Sequence, residues 1–115
     1  MRCVIVDNSM EFLSSASRLL RSQGMDVVAC ASSGGRALEL VGALAPDVAL
    51  VDIELGEDDG IELSHQLAAL APATRVVLIS SYGQDDVGDL LAHSSAAGFL
   101  PKTELGAAAI ARLMD

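Results

Sequence analysis

The chain is 115 residues long and carries 7 basic against 16 acidic side chains, a formal charge of −9 at pH 7. That length suits one domain built on one core, and a hydrophobic fraction of 51% is too high for a disordered segment. The acidity speaks against direct binding of polyanionic nucleic acid, and no apolar run approaches the ~20 residues that cross a bilayer.

Short apolar runs alternate with amphipathic stretches along the whole chain, with no repeat, linker or low-complexity segment. The first run, 3–6, follows a single arginine and stops at Asp7; it is too short for the core of a signal peptide, so a cytoplasmic location is expected. Phe12, Leu13, Ala16, Leu19 and Leu20 then share one face at helical spacing, and Gly24 suits the helix end. The second run is 27–30. Cys3 and Cys30, the only cysteines, both lie in apolar runs and read as two buried thiols rather than a disulfide or metal site.

Ala37, Leu38, Val41, Leu44 and Ala45 form the second helical stripe, which Pro46 stops. After the third run, 48–51, Leu63, Leu67 and Leu70 mark a third helix before Pro72. After the fourth run, 76–79, a weaker fourth helix is centred on Val87, Leu90 and Leu91 and interrupted by Gly88. The last run is 98–100, and a fifth helix carries Leu105, Ala109, Ile110 and Leu113. The five runs are short, mostly β-branched and continuous rather than alternating, as in parallel strands buried on both faces. Five strands alternating with five helices predict one α/β domain over 1–115: a doubly wound, five-stranded parallel sheet with helices on both faces.

Function in such sheets gathers outside the carboxyl ends of the strands. Asp7 and Asn8 follow the first strand, Asp52 and Glu54 the third, Ser80 and Ser81 the fourth, and Lys102 the fifth, whereas the second is followed only by Ala31 and Ser32. The strand order 2-1-3-4-5 puts the second strand at an edge and brings the other four ends to one rim. Acidic oxygens suit Mg²⁺, and a hydroxyl and an ammonium suit phosphoryl oxygens. Asp52 then has the chemistry of a carboxylate nucleophile.

The motifs Val4-Ile5-Val6-Asp7, Val51-Asp52, Asp59-Gly60, Ile79-Ser80-Ser81 and Gly98-Phe99-Leu100-Pro101-Lys102, in this order, resemble the receiver domain of bacterial two-component response regulators over essentially the whole chain. Ser-Ser after the fourth strand and Phe-Leu-Pro-Lys at the fifth are similar to receivers of LuxR-type regulators. The resemblance implies a flavodoxin-like fold and a phosphorelay signalling domain rather than an enzyme in its own right. It implies that Asp52 accepts a phosphoryl group from a sensor histidine kinase. Asp7, Asp52 and the backbone carbonyl of Glu54 would hold Mg²⁺, Ser80 and Phe99 would act as switch residues, and Lys102 would contact the phosphate. It also implies signalling through a homodimer, a downstream protein or a C-terminal DNA-binding domain, without a membrane or nucleic-acid contact of its own. Whether the chain stands alone or is part of a longer regulator is left open.

Three departures from the family pattern bear on that expectation. Asn8 stands where a second acid is usual; it offers an oxygen without charge, or serves as a helix N-cap with Glu11 completing a capping box. If Asn8 disables the metal site, the domain is a pseudo-receiver that works by partner binding or dimerisation, for which the alanines 107, 108, 109 and 111 of the last helix are candidates. Glu54 reaches toward the cation or points to solvent. Thr103 replaces the usual proline, and Pro101 precedes the lysine instead. The acids Asp52, Glu54, Glu57, Asp58, Asp59 and Glu62 crowd the loop: Glu57 and Asp58 read as solvated, and Asp59 as the N-cap of the third helix. His65 and His93 read as surface residues. A Mg²⁺-dependent phosphohydrolase with an aspartyl nucleophile ranks last, because such enzymes resemble longer chains with further acids after the lysine.

Overall fold

The computed structural model describes residues 1–81, 88 and 92–114. The strands β1 (Arg2–Val6), β2 (Asp26–Ala31), β3 (Val48–Asp52), β6 (Arg75–Ser80) and β7 (Gly98–Pro101) form a parallel sheet in the order β2-β1-β3-β6-β7. This is the expected 2-1-3-4-5 arrangement. Helices α1 (Met10–Ser22), α2 (Gly34–Leu44), α3 (Gly60–Leu70) and α4 (Ala107–Met114) correspond to the first, second, third and fifth predicted helices. The fourth, on Val87, Leu90 and Leu91, lies outside the described residues.

Successive strand residues point to opposite faces, and both faces are covered. Val4, Val6, Ala49, Val51, Val76 and Leu78 pack against Ala37 and Val41 of α2 and Leu63 and Leu67 of α3. Cys3, Ile5, Val48, Leu50, Val77 and Ile79 pack against Leu13, Ala16 and Leu20 of α1 and Ile110 of α4. Two cores on one sheet explain why the strands read as unbroken apolar runs.

The structure corrects several details. Asn8 does not cap α1: Ser9 does, its hydroxyl accepting the Phe12 N–H at 3.2 Å. The buried face of α1 takes in Ser17, whereas Leu19 is exposed, as is Leu70 at the end of α3. Cys3 is buried, and burial, with the Cys30 thiol as a smaller cause, pushes its pKa up to about 12. Cys30 is exposed, because β2 is an edge strand that α1 does not fully cover. Its thiol lies 3.2 Å from Ser17 Oγ in an open groove of about 500 Å³ that also reaches Arg18 and Arg21.

A two-stranded antiparallel hairpin absent from the prediction, β4 (Glu54–Leu55) and β5 (Asp58–Asp59), stands between β3 and α3. Gly56 turns it at φ 67°, a conformation that favours glycine. Asp59 caps α3 as expected, accepting the Ile61 N–H at 2.8 Å. Asp58, in contrast, is not merely a solvated loop acid. Its carboxylate accepts the N–H of Gly34, the first residue of α2, at 2.9 Å. Two acids of the crowded loop thus face the positive ends of two helices. Replacing Asp58 by alanine is expected to cost ~0.5–2 kcal/mol in urea-induced unfolding, and Asp58→Asn, which keeps an acceptor oxygen, much less; equal losses in both would show that the charge, and not the hydrogen bond to Gly34, carries the contact.

Candidate phosphoacceptor site

The carboxyl ends of β1, β3, β6 and β7 open onto one cleft of about 690 Å³, lined among others by Asp7, Asn8, Asp52, Glu54, Ser80, Ser81 and Lys102. Phe99 stands apart from it, buried on β7 against the α2/α3 side of the sheet. Asp7 is the first residue after β1; its Oδ1 accepts the Ser9 N–H at 2.8 Å, which fixes the carboxylate at the entry to α1. Asp52 ends β3 and is paired across the sheet with Ile79, next to Ser80. Its Oδ1 accepts the Glu54 N–H at 3.2 Å.

Lys102 follows β7, at the start of a single 3₁₀ turn, Lys102–Glu104. No peptide bond is cis among the described residues. The Lys102 Nζ lies 2.6 Å from Asp7 Oδ2 and 3.5 Å from Asp52 Oδ2. It also sits over the ring of Phe12, 4.2 Å from the centroid. Asp7 and Ser80 are fully enclosed, and Asp52 nearly so. Burial, and then the neighbouring Asp7 charge, raise the pKa of Asp52 above the usual carboxylate value, against the Glu54 N–H and the Lys102 ammonium.

The residues present fit a divalent cation. Asp7 is buried, and its Oδ2 meets the Lys102 ammonium at 2.6 Å, beside the Asp52 carboxylate. Two enclosed carboxylates side by side are hard oxygen donors of the kind that Mg²⁺ takes, with water completing its shell. The Glu54 side chain is exposed, and among the described residues no three His, Cys, Asp or Glu side chains converge as a ligand set. Asn8 is exposed, and its Nδ2 lies under the hairpin turn, where a Cβ on Gly56 would come within 3.2 Å of it. His65 and His93 are exposed, His65 Nδ1 meeting Ser95 Oγ at 2.7 Å.

Two residues at this site escaped the sequence reading. Phe12 was indistinguishable from the other members of an apolar stripe, and Asp58 from the other acids of a charged loop. Only the lone aromatic in the first turn of a helix that follows Asp7 was a signal for the former; for the latter the sequence held none.

Residues 3–113 match the sequence profile of the response regulator receiver domain. The chain belongs to that family. It is 32% identical over 115 residues to the transcriptional regulatory protein NarL of Mycobacterium tuberculosis, spanning 99% of this chain and 53% of NarL. It is 35% identical over 83 residues to a protein-glutamate methylesterase/protein-glutamine glutaminase of Halobacterium salinarum, covering 72% of this chain but 24% of that one. The signal receiver domain of NarL from M. tuberculosis superimposes with a TM-score of 0.79 at 36% identity, over 90% of this chain and 85% of that chain. As a receiver of two-component response regulators, this domain is a phosphorelay signalling domain. It spans about half or less of these curated relatives. No helix among the described residues is long and apolar enough to cross a membrane.

Proposed function

We propose that this receiver takes a phosphoryl group on Asp52 from the phosphohistidine of a sensor kinase in the cytoplasm. The observation that carries the reading is the ammonium of Lys102 set between Asp7 and Asp52, at 2.6 and 3.5 Å, at the floor of an open cleft. The Asp52 oxygen attacks phosphorus, the O–P bond forms, the P–N bond breaks, and the imidazole leaves with the bonding pair. Lys102 meets the incoming phosphoryl oxygens as a point charge. Ser80, on the strand beside Asp52, donates a hydrogen bond to them. Asp7, Asp52 and the Glu54 carbonyl would hold Mg²⁺, which supplies positive charge to the phosphoryl group when bound.

Ser80 and Phe99 act in this reading as the switch pair. Phosphorylation biases a two-state equilibrium of the surface around β7 and α4. The receiving partner is a second copy, a downstream protein or a DNA-binding domain in the same regulator. The test is intact mass after incubation with Mg²⁺ and a small acyl phosphate. Gain of one phosphoryl group is the expected result; no gain overturns the phosphoacceptor reading.

The exposed amide of Asn8 favours a second reading, a pseudo-receiver that binds its partner unphosphorylated. Labelling of the parent separates the two, and Asn8→Asp tests the role of residue 8, because a third carboxylate adds charge to the cation site. Mg²⁺ affinity, followed by titration of the purified domain, should rise on the order of tenfold. An unchanged affinity would place residue 8 outside the cation's reach.

A further inference from the structure

Lys102 has a third neighbour besides the two carboxylates. The Phe12 ring lies beneath its ammonium, 4.2 Å from centroid to Nζ, well inside the ~6 Å at which a ring face attracts a cation. The ammonium is therefore held from three sides: Asp7, Asp52 and the ring. The lysine side chain is 17% exposed, so water screens these contacts little. The chain has only two phenylalanines, one tyrosine and no tryptophan. One of these few rings stands at the first turn of α1, directly after the segment that carries Asp7 and Asn8.

Phe12 also packs, half-buried, against the α1/α4 core. Apolar burial alone would be served as well by leucine or methionine. What leucine lacks is a face with negative electrostatic potential. Lysine has a flexible stem, and its ammonium is strongly hydrated. Without the ring, solvent-directed rotamers of Lys102 compete with the one that reaches both carboxylates.

We propose that Phe12 is a positioning residue: its ring face holds the Lys102 ammonium at the point where it meets a phosphoryl group on Asp52. This rests on the reading of Asp52 as phosphoacceptor. Phe12 touches no reacting atom and acts only through Lys102.

Two measurements decide it. The first needs no phosphorylation. Urea unfolding of the parent, Phe12→Leu, Lys102→Met and the double variant forms a thermodynamic cycle. A ring–ammonium contact gives a coupling of about 2- to 30-fold in the folding equilibrium constant. A ring-fluorinated phenylalanine at position 12 keeps the shape, weakens the negative face, and should lose most of the coupling. Additive effects of the two substitutions overturn the proposal.

The second follows the rate of labelling by the small acyl phosphate. Phe12→Leu should slow it several-fold, and Phe12→Tyr should restore the parent's rate. Labelling of Phe12→Leu at the parent's rate overturns the role of Phe12 alone. A parent that takes no label overturns the phosphoacceptor reading, and this role with it.

Discussion

Asp52→Asn is expected to take no phosphoryl group under conditions that label the parent, and to unfold at a higher temperature. The amide keeps an oxygen for the Glu54 N–H, which Asp52 Oδ1 now accepts at 3.2 Å, so the loop geometry survives. It has no nucleophilic oxygen lone pair comparable to the carboxylate, so the loss of labelling is complete. The gain in stability follows from the direction of the Asp52 pKa, raised by burial and by Asp7. A carboxyl group whose pKa is higher in the folded than in the unfolded chain binds its proton more tightly when folded. Folding stability therefore falls as pH rises from the ordinary carboxylate value, ~3.9, through the raised one. At neutral pH the parent bears that cost and the asparagine variant does not. Below the ordinary value both states of the parent are protonated, and the difference between the variants should vanish. Thermal melts of the two proteins across that range, without added Mg²⁺, read the effect. An asparagine variant that melts below the parent at neutral pH would show that the Lys102–Asp52 ion pair outweighs the burial of the charge.

Gly60→Ala is expected to be the most destabilising single methyl group that can be added to this chain near the site. A Cβ on Gly60 would stand 2.2 Å from the Asp52 carbonyl oxygen, 2.7 Å from Ile53 Cα and 2.9 Å from the Ile53 carbonyl oxygen. All three are backbone atoms, and none can step aside by a rotamer change. The start of α3 must move away from β3, or the backbone that carries Asp52 must move. We expect a loss of ~3 kcal/mol or more, on the order of 10–20 °C in Tm, together with weaker labelling because Asp52 is displaced. Gly35→Ala is the matched control. Nothing lies within 4 Å of its would-be Cβ, and it sits in helix α2. There the loss of glycine's backbone freedom should stabilise by ~0.5–1 kcal/mol. If Gly60→Ala melts with Gly35→Ala, the approach of α3 to β3 is looser than these distances require.

The order of strands and helices, and the rim on which Asp7, Asp52, Ser80 and Lys102 meet, were legible in the amino-acid sequence. The reasons are local. Continuous β-branched runs such as 48–51 and 76–79 mark strands covered on both faces, and the breakers Gly24 and Pro46 end helices wherever they fall. A chain that alternates in this way has few right-handed topologies open to it, and the polar residues then follow from the strand ends. Exposure and pairing across the fold were not legible in the same way. Period-3.6 spacing marks an apolar face of α1 but not its angle, so Leu19 was placed inside although it is exposed, and nothing marked Ser17 as buried.

What the sequence by itself determined is therefore the succession of elements and the chemistry available at the carboxyl end of the sheet, because both depend on residues adjacent in the chain. Tertiary structure alone decided which residues from distant elements touch. Asp58 became the acceptor for the first N–H of α2 because the hairpin folds back onto that helix. Cys30 stayed exposed because α1 packs on β2 so as to leave an open groove over that thiol. Phe12 came to lie under Lys102 because α1 and the turn after β7 approach across the rim. Such contacts are set by how whole elements pack, and no pattern within either partner's own segment encodes them.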